Sequence, residues 1–405
     1  MVTRSPEQSA SFWSRLYFNW VRPTLDEGLI RPLSIDTLLP LNDAEDGERC
    51  WRRFSAMMKR NASHARPILR SMADLHRLTL LRVFLLSMVH VFASVSSPLL
   101  LRQLLRSLDS GVHWRTDLCL AAGLFVAALT TSMTAHHMYH ILLKLMVRVR
   151  IALVAAIYRK ALALTIAARQ EAPAGQIINL MGTDAQKFVN SINVIHSIWM
   201  HPTQFVVVLS VLYWILGPSA FAGALVLVCF LTMSAFVSRK FLRSRAELIR
   251  HSDERVGLMN EILMSIRVIK FYAWEQSFRR EVLAIRGKEA GVLARLAKLS
   301  AVSSLIFLSA PIAVSLATFT SFVLAGGSLN AADVFSALAL FTVLRHAMVT
   351  LPDVVTACLE ANVAIRRIER FLRLPELQPR LASNRPKGTI EAHSVSVEWT
   401  PVSYT

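Results

Sequence analysis

The sequence predicts an all-α polytopic membrane protein, and three observations carry that expectation. First, 54% of the 405 residues are hydrophobic, yet the formal net charge is +18, and mean hydropathy is +0.43. High apolarity combined with strong basicity is ordinary for a polytopic membrane protein with basic cytosolic loops and unusual for a soluble one. Second, Lys and Arg are fenced off between uncharged runs, each long enough to cross a bilayer. That pattern excludes the nucleic-acid binder that charge alone would permit. Third, the long basic connectors 146–168 and 239–298 contain no proline and are rich in Ala, Leu, Ile, Arg and Glu. Helices are therefore expected to continue well beyond the hydrocarbon.

A helix needs about 20 mostly apolar residues to cross the ~30 Å hydrocarbon core. Residues 83–101 carry no Asp, Glu, Lys or Arg and form a first expected span. Residues 118–143 form a second, running into basic helix at Lys144, Arg148 and Arg150. The stretch 188–238 is uncharged and too long for one crossing, and Gly217-Pro218 divides it into two spans with a very short turn. Residues 299–332 are uncharged and end in Gly326-Gly327-Ser328; residues 334–351 form the last span, with Arg345 inside it. Six spans are expected. The connectors near 106–117, 216–218 and 326–330 are short and nearly free of Lys and Arg, whereas 144–187 and 239–298 are long and rich in both. The positive-inside rule then places the long connectors and both termini in the cytosol.

Asn61-Ala62-Ser63 is accordingly a glycosylation sequon on the wrong side and is expected to be unused. The N-terminus, MVTRSPEQSASF, has no apolar core of a signal peptide, so insertion through internal helices is expected. Cys50, Cys119, Cys229 and Cys358 are scattered, without disulfide or zinc spacing. His136, His137 and His140 include an i, i+4 pair of metal-binding spacing, but no carboxylate or cysteine backs it in the sequence. A polar helix face is expected there, and no metal.

Several segments carry a family resemblance. DERVGLMNEILMSIRVIKFYAWE (253–275) is charged at its start and amphipathic in its middle. It resembles the second intracellular loop of the C subfamily of ATP-binding cassette (ABC) exporters, the multidrug-resistance-associated proteins. IRHSDERV (249–256) is expected to be the tip of that loop. SASFWSRLYFNWVRPTLDEGLIRPLSIDTLLPL (9–41) resembles the family's lasso segment, with Phe12, Trp13, Leu16, Tyr17 and Trp20 forming an aromatic face suited to the membrane interface. GQIINLMGTDAQKF (175–188) resembles the first intracellular coupling segment. There Gly175 would let the backbone turn, and Ile177, Ile178, Leu180 and Met181 would offer an apolar knob. LFTVLRHAMVTLPDVVTACLEANVAIRRIERFL (340–372) resembles the sixth core helix and its descent, and GTIEAHSVSVEW (388–399) alternates like the opening strand of a nucleotide-binding domain.

The resemblance implies a six-helix ABC exporter type-1 (type IV) transmembrane domain with long cytosolic helical extensions. It implies a cytosolic lasso and elbow over 1–75, the membrane domain over 76–374, a linker over 375–388, and the truncated start of a nucleotide-binding domain over 389–405. Gly175, Asn179, Asp184, Asp253, Glu254 and Arg255 are then the residues expected to couple to nucleotide-binding domains. Arg345 falls where the family places an anion-contacting arginine, and a guanidinium can grip carboxylate bidentately. An unpaired charge inside a span is otherwise costly. His90 matches a position lining the family's polar pocket, although the usual lysine three residues earlier is Ser87 here. Phe307 falls where the family often has a pocket tryptophan. No GxxxxGK[ST] phosphate loop occurs in the sequence, so ATP and Mg are expected on nucleotide-binding domains absent from this chain. The expected partners are the lipid bilayer, those domains, a second transmembrane domain in the same or another chain, and amphipathic anionic small molecules. The expected function is export of organic anions, conjugates or drugs by alternating access, at a plasma or vacuolar-type membrane. The alternative is a channel-regulating or non-transporting truncated ABC protein.

Overall fold

A computed structural model describes residues 5–34, 42, 45–111 and 114–377, which are almost entirely helical. The proposed strand at 388–399 and the lasso residues 35–41 lie outside the described residues. An N-terminal run of helices, α1 (Pro6–Ser9), α2 (Phe12–Leu16), α3 (Arg22–Ile30), α4 (Gly47–Arg60) and α5 (Pro67–Leu75), precedes the long ones. Helix α4 starts where it does because the Asp46 carboxylate accepts a hydrogen bond from the Arg49 amide at 2.9 Å. Then come α6 (Arg77–Ser110), α7 (Trp114–Ala163), the short α8 (Ile166–Glu171), α9 (Ala174–Asn179) and α10 (Ala185–Val194), and α11 (Ser197–Leu216). Helices α12 (Ala220–Met264), α13 (Ile266–Phe271), α14 (Glu275–Leu324) and α15 (Ala331–Leu372) complete the described chain.

Four helical stretches are long and apolar enough to cross a membrane by length and composition: Arg77–Ser110, Ala174–Met264, Glu275–Leu324 and Ala331–Leu372. The second of these contains both α11 and α12, separated by the tight turn at Gly217, whose φ of 60° is a left-handed value that suits glycine. Large apolar side chains such as Phe92, Phe125, Trp214, Phe221 and Ile312 point outward. So large an apolar exterior fits hydrocarbon and would be a liability in water. Pro98, Pro202, Pro311 and Pro352 sit inside α6, α11, α14 and α15, a placement that packed membrane helices tolerate.

Two apolar cores hold the bundle. One joins Val95, Val208, Leu212, Leu216, Val314, Leu340 and Leu344 near the Gly217 turn. The other lies towards the opposite end and packs Phe54 and Ile68 of the N-terminal run against Leu153, Ile157, Leu180, Ile368 and Phe371. Polar ties fix the ends. At the Gly217 end, Asp333 accepts from Arg102 Nε at 2.6 Å and from Arg106 at 3.0 Å, joining α6 to α15. At the other end, the Glu369 carboxylate accepts from the Ile68 amide at 3.2 Å, so α15 caps the start of α5. Lys160 pairs with Glu376 at 2.6 Å, and the Leu377 amide donates to the Ala163 carbonyl at 2.8 Å, pinning the exit of α15 onto the end of α7.

The N-terminal run docks on α7 through the histidines read as a polar face. His137 Nε2 donates to the Leu16 carbonyl, and His140 Nε2 donates to the Glu7 carboxylate, each at 3.0 Å. Lys144 also pairs with Glu7. Phe18 stacks on His137, with centroids 4.9 Å apart, and meets His140 edge-on. Burial pulls the Glu7 carboxyl upward, but hydrogen bonds and charge from Lys144 and His140 outweigh it and hold the group below its ordinary value. Phe12, Trp13 and Tyr17 remain on the outer face. The Asn61 side chain is buried and donates to Asp74 at 3.0 Å and Ser71 at 3.3 Å, an engagement incompatible with carrying a glycan.

One expectation is corrected. Residues 249–256 are not the tip of the second excursion, because α12 runs through them unbroken to Met264. No helix-breaking residue interrupts it there, and charged side chains are as comfortable on a solvated helix as in a turn. The chain reverses at 265–274 instead, where Ser265 ends α12 and Ala273 adopts a φ of 51° before α14 begins. Helices α12 and α14 are then stapled along their length: Arg255 pairs with Glu289 at 2.9 Å, and Arg295 with Glu247 at 2.8 Å.

Candidate functional site

Two regions hold the candidate residues. The first lies among the membrane helices. On α6, His90 is half-buried, and its Nδ1 lies 3.1 Å from the Thr131 carbonyl and 3.4 Å from Thr134 Oγ1 on α7. On α15, Arg345 is exposed and engages no hydrogen bond or ion pair among the described residues. Its neighbour His346 meets His201 of α11 with ring centroids 6.4 Å apart, and His201 Nε2 is 2.7 Å from Thr350 Oγ1. His196, ahead of α11, is buried and meets Tyr139 of α7 edge-on at 5.9 Å. Two local groupings result: His90 with Thr134 between α6 and α7, and His201 with Thr350 and His346 between α11 and α15. Phe307 is half-buried on α14, and no recorded contact among the described residues joins it to His90 or Arg345.

Ser87 explains the missing lysine. Its side chain is fully buried and accepts a hydrogen bond from Trp199 Nε1 at 2.8 Å, tying α6 to α11. A lysine there would have to displace the indole and bury an ammonium. His201, His346 and Trp199 escaped sequence reasoning because isolated His and Trp in apolar runs give no spacing signal.

The second region is the far end of the long helices. At the reversal between α12 and α14, Met264 is 90% exposed and Phe271 89% exposed, with Leu263, Tyr272 and Trp274 also outward. Tyr272 and Trp274 stack at 5.0 Å. This apolar, aromatic knob crowns a hairpin whose flanks are charged. Asp253 and Glu254 lie exposed on its side, within α12, and Arg255 turns inward to Glu289. The FYAW run was the available signal, but the charges of 249–256 drew the tip to the wrong place. In the first segment, Gly175 and Asn179 are exposed on α9, and Ile178 is 69% exposed. Gly175 has no positive φ and open space where a Cβ would stand, so the backbone does not turn on its glycine. Asp184 is buried and pairs with Arg367 at 3.0 Å, which binds this segment to α15. Leu180 is core.

Comparison with known proteins fits this arrangement. Residues 80–348 match the family described as the ABC transporter transmembrane region. The chain is 30% identical to "ABC transporter C family member 8" of Dictyostelium discoideum, over 98% of this chain and 25% of that protein. It is 30% identical to "ATP-binding cassette sub-family C member 3" of Mus musculus, over 97% of this chain and 28% of that protein. Against the Rattus norvegicus protein of the same name the identity is 29%, over 98% of this chain and 28% of that protein. The chain spans about a quarter of the length of these relatives.

Proposed function

Because the chain belongs to the ABC transporter transmembrane-region family, with C-subfamily relatives along nearly its whole length, we propose that it serves as the first membrane half of an ATP-driven exporter of amphipathic organic anions. ATP and Mg belong to the nucleotide-binding domains of the assembled exporter, and a second membrane domain completes the pore. The chain crosses the membrane six times, with α6, α7, α11, α12, α14 and α15, and both termini face the cytosol. Closure of the nucleotide-binding domains pushes on the 265–274 knob and on the α9 segment. The long helices then rock as rigid levers and turn the cavity from one side of the membrane to the other.

The observation that carries this reading is the knob. Exposed aromatic and sulfur side chains on a rigid, ion-paired hairpin are the composition of a docking hot spot, and nothing within the described chain covers them. Asp253 and Glu254 provide a charged rim. In the cavity, Arg345 supplies the cation, while His90 and the neighbouring imidazoles and hydroxyls supply hydrogen bonds to a carboxylate or conjugate group. Phe307 offers an aromatic surface on the neighbouring helix for the apolar part of the substrate.

The test is binding of a C-subfamily nucleotide-binding domain to the chain reconstituted in nanodiscs. The double substitution Phe271→Ser with Trp274→Ser is expected to weaken binding at least tenfold, and Asp253→Lys with Glu254→Lys by a smaller factor. Binding that survives the aromatic substitutions unchanged overturns the coupling role of the knob.

A further inference from the structure

We propose that the cavities meeting at His76 form a binding site for one anionic phospholipid, whose phosphate sits among Arg53, Arg82 and Arg148 and whose acyl chain enters the apolar pocket behind. The basic cavity, about 260 Å³, lies between α4, the start of α6 and α7, with Thr79 and His76 also in its wall. The apolar cavity, about 360 Å³, is lined by Leu80, Val149, Phe188, Ile192 and Ile365, with Arg66 at its edge and His76 as the shared wall. That volume falls in the range of small-molecule sites, roughly 300–1,000 Å³.

The charges favour an anion. Arg53 and Arg82 make no ion pair among the described residues. Arg148 reaches Glu45 through one nitrogen at 3.4 Å, while its Nε is buried without a partner. Among the described residues, Glu45 is engaged by Arg148 and Asp46 by the Arg49 amide it caps. His76 reports the resulting potential, because burial and then the charges of Arg148 and Arg53 push its imidazole down to about 4. A neutral ring at physiological pH can line both an apolar and a basic cavity.

The position favours a lipid over a soluble anion. Arg82 directly precedes the uncharged run 83–101, and Arg148 follows the uncharged run 118–143 by five residues, or about 7 Å of helix. Both guanidiniums therefore sit at headgroup depth. Basic pockets between helices on the cytosolic side of a membrane are suited to anionic headgroups. Arginine matches phosphate geometry bidentately. The occupant also has a structural consequence. It would bridge α4 and α5 to α6, α7 and α15, securing the N-terminal run against the bundle.

Native mass spectrometry of the purified chain, titrated with phosphatidylserine, phosphatidylcholine and glycerol phosphate, tests the site. Phosphatidylserine is expected to bind at least tenfold more tightly than phosphatidylcholine. Arg53→Gln with Arg82→Gln should remove that preference, since neither arginine makes a hydrogen bond or ion pair among the described residues. Ala73→Phe, which fills the apolar cavity from its rim, should weaken the lipid and leave glycerol phosphate unaffected. Equal binding of the two lipids, or a preference that survives the arginine substitutions, overturns the proposal. Displacement of the lipid by glycerol phosphate at equal concentration also overturns it, in favour of a soluble phosphate ester. A melting temperature retained in both variants separates lost binding from lost folding.

Discussion

Replacing Asp333 by alanine is expected to destabilise the membrane domain by about 3 kcal/mol, because it strands a buried cation. Arg102 is only 10% exposed at its side chain and lies over the Trp214 ring at 4.7 Å, so α6, α11 and α15 converge on that guanidinium. Asp333 supplies its anion at 2.6 Å, from the first turn of α15, where the helix dipole also favours a carboxylate. Without Asp333, the cation has neither anion nor ready access to water. Arg106, half exposed, contributes much less to the same pair. Thermal unfolding in nanodiscs should therefore show a drop of several degrees for Asp333→Ala and little change for Arg106→Ala. Equal and small effects for the two would mean that this end is held by apolar packing alone.

Gly223→Val is expected to cost about 1–3 kcal/mol and to splay α12 from α14. A Cβ at residue 223 would fall 2.1 Å from Thr318 Oγ1 and 3.3 Å from Val314 Cγ1. Thr318 is fully buried and its hydroxyl donates to the Val314 carbonyl at 2.8 Å, so it has little room to yield. Small residues at such crossings let membrane helices approach closely. Gly257 is the control: it sits in the same helix with open space around it. Gly257→Ala should be neutral or should stabilise by a few tenths of a kcal/mol up to about 1, from helix propensity. A protein that tolerates both substitutions equally would show that the two helices can repack.

The helical membrane class and the Gly217 turn were legible because they rest on one-dimensional signals: runs without charge, and glycine before proline. The positions of the long helices followed from the same runs. What the sequence concealed was pairing at a distance. Nothing local marks Glu289 as the partner of Arg255, Asp184 as the partner of Arg367, or Ser87 as the acceptor for Trp199. Nothing in the 175–188 segment foretells that the Asp184 carboxylate faces Arg367 of α15. The tip of the second excursion was misplaced for a related reason. A charged octapeptide and a helical turn on a solvated surface look alike in composition, and only the exposure of Met264, Phe271 and Trp274 distinguishes the true reversal. His137 and His140 were correctly read as a polar face, but its use, as a seat for Glu7, Leu16 and Phe18, depends on a segment more than a hundred residues earlier.

Uptake of a radiolabelled glutathione conjugate into inside-out vesicles is the direct test of an anion-exporting membrane half. The vesicles would contain the chain assembled with a second membrane domain and both nucleotide-binding domains. ATP-dependent uptake is expected, with Arg345→Ala raising the KM several-fold while ATP hydrolysis continues. Assembled complexes that hydrolyse ATP yet show no ATP-dependent uptake, or whose uptake is indifferent to Arg345, would contradict an anion-exporting membrane half.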